Sequence, residues 1–207
     1  MAELTLTTFV SLDGVMQAPG GPEEDTTDGF EQGGWLVPFA DEGMVTFMNE
    51  VFDRAGAFLL GRRTYDIFAG YWPEVTDPED PIASRLNTLP KHVVSTTLKD
   101  PEWENTTVVP GDAVAGVALL KERTEEGELQ IHGSGRLARS LMAHDLIDEY
   151  NLLVYPVFLG SGRRLFPDGG PATAFELTGS RTTGSGIAIH TYRPAGRARY
   201  GTFSQDV

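Results

Sequence analysis

The segment ELQIHGSGRLARSLMAHDLI, Glu128 to Ile147, constrains the fold of this chain more than any other stretch. Leu129-Gln130-Ile131-His132 alternates as a strand does. It runs directly into Gly133-Ser134-Gly135, after which apolar residues recur at helical spacing. A strand followed at once by a helix is half of a βα unit, the building block of a parallel sheet. Gly133, Gly135 and Ala138 also fit G-x-G-x-x-G/A, the spacing that brings a pyrophosphate to a helix N-terminus.

The rest of the chain repeats the alternation. Leu4 to Leu12 reads as a strand, followed by a loop from Asp13 to Gly34 that is rich in glycine and proline. So long a loop without periodicity is either a lid or binding loop or a surface excursion. Asp41 to Arg54 has helical spacing, Ala57 to Leu60 is a short apolar strand, and a helix runs from Thr64 towards Gly70. Pro78 to Leu89 is a further helix. Lys91 to Thr96 and Thr106 to Val109 are strands, and Ala113 to Arg123 is helical. Glu149 to Leu159 is a long strand, and Phe175 to Gly179 with Gly186 to Tyr192 reads as a closing antiparallel pair. The expectation is an α/β domain spanning residues 1–207, with a mostly parallel sheet and an antiparallel C-terminal edge.

Composition narrows the partners. The formal net charge of −14 argues against nucleic acid or an anionic membrane. Absence of cysteine excludes disulfides and thiolate chemistry, and with so few histidines no metal site is expected. No apolar run reaches the ~20 residues of a membrane helix and no signal peptide is evident, so the cytoplasm is the expected location.

In a sheet of this kind ligands sit at the carboxyl ends of the strands. Three such ends share one chemistry. Gly61-Arg62-Arg63-Thr64 offers two guanidinium groups and a hydroxyl at a helix start, with Thr64 suited to capping it. Ser95 and Thr96 supply hydroxyls after the next strand, and Gly133-Ser134-Gly135 supplies the glycine turn. Each alone has a plain reading as a cap, a solvated terminus or a tight turn. Together they point to a ligand with several phosphates, best a dinucleotide. An ordinary Rossmann domain is not expected, because the glycine turn comes late and the next strand does not end in an acid. Arginine and hydroxyls in place of that acid favour a 2′-phosphate, hence NADP over NAD.

The ordered set TTFVSLDGVMQAPGG, AFLLGRRTYDIFAGYWP, KHVVSTTL and LQIHGSGRLARSLMAHDLIDEYNLLVYPVFLGSGRRLF resembles the dihydrofolate reductase-like superfamily. Within it the chain is most similar to the C-terminal reductase domain of the riboflavin-biosynthesis deaminase-reductase. The resemblance implies a three-layer sandwich with helices on both faces of the sheet, and NADPH as cofactor. It places Gly61, Arg62, Arg63 and Thr64 against the adenosine and pyrophosphate side, and Ser95 and Thr96 against the 2′-phosphate. Gly133, Ser134, Gly135, Arg136 and Leu137 fall against the pyrophosphate, and Leu12, Asp13, Gly14 and Val15 near the nicotinamide. It also implies pairing as a homodimer.

The resemblance makes Asp41, which follows Trp35 and Pro38, the candidate catalytic acid. Asp41 equally suits a helix N-cap. Trp35 and Tyr155 are either walls for a flat heterocyclic substrate or core aromatics. His132 reads as structural, and Gly160 to Phe166 as a hairpin or a second phosphate turn. The expected activity is NADPH-dependent reduction of a C=N or C=O group in a pterin-, pyrimidine- or flavin-precursor-like heterocycle. A non-catalytic NADP(H)-binding protein and a homodimeric interaction module with a vestigial pocket are the alternatives.

Overall fold

The computed structural model describes residues 1–166 and 168–203. Its strands are β1 (Leu4–Ser11), β2 (Ala55–Gly61), β3 (Lys91–Val94), β4 (Thr106–Val109), β5 (Glu128–His132), β6 (Glu149–Tyr155), β7 (Thr173–Thr182) and β8 (Ala188–Arg197). Its helices are α1 (Glu42–Asp53), α2 (Arg62–Ala69), α3 (Pro81–Thr88), α4 (Ala113–Arg123) and α5 (Gly135–Met142). All eight strands form one sheet in the order β4-β3-β2-β5-β1-β6-β8-β7. β1 to β6 run parallel, and β8 and β7 close the edge antiparallel.

This is the three-layer arrangement that the resemblance implies. Phe47, Val51 and Phe52 of α1, Tyr65 of α2 and Leu86 of α3 pack with Phe58 and Leu60 on one face of the sheet. Val117 of α4 and Leu137, Ala138 and Leu141 of α5 pack with Leu4, Leu6, Ala57 and Leu59 on the other. Because β2 is covered on both faces, its sequence is a continuous apolar run rather than an alternating one. Among the described residues no helix is long and apolar enough to cross a membrane.

Several boundaries differ from expectation. β6 stops at Tyr155 because Pro156 has no N–H to continue the ladder, so Pro156 to Leu159 is a turn. The closing pair is longer than expected, with partners from Thr173↔Arg197 to Thr182↔Ala188. α2 begins at Arg62, so Gly61 and not Thr64 is its N-cap.

Candidate functional site

The order of the parallel strands brings the three suspected turns side by side, since β3, β2 and β5 are neighbours. They also touch. Ser134 Oγ accepts from Gly61 N at 3.0 Å, and Thr64 Oγ1 accepts from Ser134 N at 3.1 Å. The starts of α2 and α5 are therefore joined through one serine and one threonine. Gly133 and Ser134 both hold left-handed backbone, at φ 59° and 49°. Two such residues in succession turn the chain abruptly from β5 into α5, and a glycine at the first avoids a Cβ clash.

What these two helix starts lack is a cap. Asp41 Oδ1 accepts from Met44 N at 2.9 Å at the head of α1. Asp80 Oδ1 accepts from Ile82 N and Ala83 N, both at 2.9 Å, at the head of α3. Asp112 Oδ1 accepts from Ala115 N at 2.8 Å at the head of α4. Among the described residues no side chain takes the first N–H groups of α2 or α5. The first turn of a helix has no intrahelical acceptor for its N–H groups and carries the positive end of the dipole, so a bare start is a place for an anion.

Beside the α2 start lies a hydroxyl cluster. Arg62 Nε donates to both carboxylate oxygens of Asp66 at 2.8 Å, and Arg62 Nη1 reaches Thr97 Oγ1 at 3.5 Å. Ser95 Oγ accepts from Thr97 N and Leu98 N at 3.2 and 3.0 Å and lies 3.4 Å from Thr97 Oγ1. Thr97 is a member that sequence reasoning missed; the third hydroxyl of Ser95-Thr96-Thr97 was the signal for it. Thr96 makes none of these contacts.

Arg63 points elsewhere. Its Nη1 donates to Asp25 Oδ1 at 2.5 Å and Thr27 Oγ1 at 2.9 Å, and Arg163 Nη2 donates to the second Asp25 oxygen. Asp25 is thus held between two guanidinium groups with its side chain only 7% exposed. Burial alone would raise its carboxyl pKa. Hydrogen bonds from Thr27 and Arg63 and the charge of Arg163 outweigh that and hold it below the usual range. Sequence reasoning did not find Asp25, and it placed Arg63 beside Arg62 against the adenosine and pyrophosphate side of the cofactor.

The turn after β1 is built for support. Asp13 accepts from Ser11 Oγ at 2.7 Å, Leu159 N at 3.1 Å and Gly160 N at 3.0 Å, which ties the end of β1 to the turn after β6. Val15 is fully buried in the core, and its N–H donates to Ser11 Oγ at 2.9 Å. Neither side chain is free to meet a ligand. Leu12 is, at 65% exposed, and Phe158 beside it is 72% exposed; Leu12 N donates to Val157 O at 2.8 Å. Leu137 is likewise in the core, so only its backbone belongs to the α5 start. Arg136, next to it, faces outward and is exposed.

Asp41, the candidate acid, is engaged at both carboxylate oxygens. Asp41 caps α1 and also accepts from Ser185 N at 2.8 Å through Oδ2. The hydrogen bonds from Met44 N and Ser185 N hold its carboxyl down to about 2, which suits a cap rather than a proton donor. Trp35 and Tyr155 are core aromatics in an edge-to-face pair 5.4 Å apart. Trp35 Nε1 donates to Gln17 O at 2.8 Å and Tyr155 Oη to Met44 Sδ at 2.9 Å. His132 stacks on Phe52 with centroids 4.5 Å apart and lies 3.1 Å from Gln130 Oε1, and burial drives its pKa down to about 3. It is a neutral structural residue.

The profile of the family described as RibD C-terminal domain matches residues 2–189. The chain belongs to that family. The Bacillus subtilis (strain 168) protein called Uncharacterized protein YyaP is 26% identical over 174 residues, 81% of this chain and 89% of its own length. A putative riboflavin biosynthesis protein from Shewanella sp. PV-4 superposes with a TM-score of 0.66 at 23% identity, covering 94% of this chain and 99% of its own. A diaminohydroxyphosphoribosylaminopyrimidine deaminase/5-amino-6-(5-phosphoribosylamino)uracil reductase from Thermotoga maritima superposes with a TM-score of 0.60 at 14% identity. That likeness covers 94% of this chain but 57% of the Thermotoga protein. At these identities the superpositions establish the fold.

Proposed function

We propose that the chain is an NADPH-dependent reductase that transfers a hydride to a C=N or C=O group of a small heterocycle of pterin, pyrimidine or flavin-precursor type. Membership of the RibD C-terminal domain family supports a pyrimidine-reductase-like oxidoreductase. The observation that carries the finer reading is the pair of uncapped helix starts joined through Ser134 and Thr64, with Arg62, Ser95 and Thr97 alongside.

These residues fit the cofactor. The first-turn N–H groups of α2 and α5 would hold a pyrophosphate, and Arg62 with the hydroxyls of Ser95, Thr96 and Thr97 would hold a 2′-phosphate. NADPH, when bound, supplies the hydride, while the protein supplies orientation and exclusion of water. Leu12 and Phe158 present an apolar surface at the ends of β1 and β6 against which a flat ring can lie. Asp41 is ionised, and burial raises the Tyr155 hydroxyl pKa and so keeps its proton on. The proton that accompanies the hydride therefore comes from water.

The test is binding followed by turnover. NADPH should quench protein fluorescence and raise the melting temperature more than NADH does, and 5-amino-6-(5-phosphoribosylamino)uracil or dihydrofolate should then oxidise it. Equal response to both cofactors removes the 2′-phosphate assignment. Binding without oxidation across these substrates leads to the second reading, a non-catalytic NADP(H)-binding protein. The commitment of Asp41 to capping is what favours that alternative. Pairing as a homodimer belongs to the same proposal: the ten-residue strand β7 forms the sheet edge with Leu177 52% exposed, and light scattering on the purified chain checks it.

A further inference from the structure

Contacts of the strap from Gln17 to Gly34, and of Met16 just before it, cross from the first turn of α2 to the first residue of α5. At one end of the crossing is Arg63 on the first turn of α2, bound to Asp25. Asp25 is bound in turn to Arg163, whose carbonyl accepts from Met16 N at 2.9 Å. Met16 reaches the far side: a Cβ on Gly135, the first residue of α5, would lie 2.5 Å from Met16 Sδ. Arg63 of α2 and Arg163 of the segment between β6 and β7 therefore converge on one carboxylate. Burial and the charges of Arg163 and Arg136 lower the pKa of Arg139, which marks a local excess of positive charge in an acidic chain. The sheet edge at the amino ends of the strands differs. There Arg54 bridges Glu128 and Glu149, and Arg193 bridges Glu3 and Glu149.

The strap is held in two ways. Ala18 and Phe30 are buried apolar anchors. Between them the contacts are polar: Gln17 Nε2 donates to Asp25 O and Thr27 O at 3.1 and 3.0 Å, and Gln17 Oε1 accepts from Arg163 N at 3.0 Å. Only the stretch between the anchors has to move for Asp25 to leave the arginines, with no loss of core.

We propose that Asp25 is a resident occupant of the anion site: its carboxylate holds Arg63 and Arg163 in place of a ligand phosphate and must withdraw before an anionic ligand seats fully. The inference rests on reading this edge as a phosphate site. A strap closed about 90% of the time weakens apparent affinity about tenfold. Asp25→Asn keeps the oxygen that Thr27 N uses but removes the charge.

Calorimetry with NADPH and, separately, with inorganic pyrophosphate tests it on the wild type and D25N. Both ligands should bind D25N about tenfold more tightly. Equal or weaker binding by D25N means that Asp25 orients the arginines instead, and the proposal falls. If NADPH binds neither form while pyrophosphate binds D25N more tightly, the cofactor reading fails and the inference stands. If neither ligand binds either form, both fail. A second measurement needs no variant. A glutamate-specific protease should cut the wild-type strap at Glu23 and Glu24 faster when pyrophosphate is present, and unchanged or slower cleavage overturns the withdrawal.

Discussion

Helices α1, α3 and α4 each begin under an aspartate that accepts their first N–H groups, whereas α2 and α5 begin under a glycine and a left-handed serine that accept none. All five follow the same physical rule, so the difference lies in what completes them. At a capped start the carboxylate is covalently present and gives stability, on the order of 1 kcal/mol. At a bare start the same position is left to an anion from outside, and part of the stability is deferred until that anion binds. The two bare starts are adjacent and bonded to each other, while the capped ones are distributed among separate elements. Stability and ligand binding are divided between two sets of helix ends.

The largest effect follows from making a bare start resemble a capped one. In Gly61→Asp the new Cβ meets only ordinary contacts, with Ser134 Cβ at 3.6 Å. Stability should change by only a few tenths of a kcal/mol. A carboxylate a few ångströms from a bound phosphate costs on the order of 3 kcal/mol at an intermediate dielectric. NADPH affinity measured by calorimetry should therefore fall at least about a hundredfold; unchanged affinity would remove the α2 start from the site.

The second concerns His132, directly before the α5 turn. Its pKa is about 3 in the folded chain against 6.5 for the free side chain. The unfolded state therefore binds the proton first, and stability falls as pH drops below 6.5. The loss should be about 2 kcal/mol between pH 7 and pH 5. Urea unfolding across that range should show the decline, and His132→Asn should flatten it. A decline that persists in the variant assigns it to other groups. It also separates the contributions at the α5 start, since a neutral imidazole leaves the backbone as the source of positive potential there.

Arg62→Ala should lower the preference for NADPH over NADH about tenfold, as expected for one charge-assisted pair. Arg63→Ala should leave the preference intact, because its guanidinium is turned towards Asp25. Reversed results would place Arg63, and not Arg62, at the 2′-phosphate. The smallest effect is at the capped ends. Asp80→Ala or Asp112→Ala should cost about 1 kcal/mol in urea unfolding and leave NADPH binding unchanged.

Part of this division was legible in the residues themselves. AFLL declares a parallel strand because burial on both faces leaves no polar alternation, and LQIH does so because a helix follows it at once. Gly61-Arg62-Arg63-Thr64 and Gly133-Ser134-Gly135 mark the two helix starts but do not show that they are bare. Thr64 and Ser134 are both capping residue types, and only the backbone puts Thr64 inside α2 and Ser134 in the left-handed region. What escaped were contacts made across the chain. Asp25 lies 38 residues from Arg63 and 138 from Arg163, and nothing in its neighbourhood marks it as their partner. Asp41 was rightly suspected as a cap, but its low pKa depends on Ser185, 144 residues away. Trp35 and Tyr155 had the residue types of a ligand wall, and only the packing of the first face shows that they are spent on each other.

The most direct test of the divided helix ends is a titration of the ¹⁵N-labelled chain with NADPH, followed by amide resonances. The amide protons of Arg62, Arg63, Thr64, Gly135, Arg136 and Leu137 should move downfield together as they acquire phosphate acceptors, while those of Met44, Ile82, Ala83 and Ala115 stay in place. Shifts confined to the capped starts, or spread over the opposite edge of the sheet, would contradict the assignment.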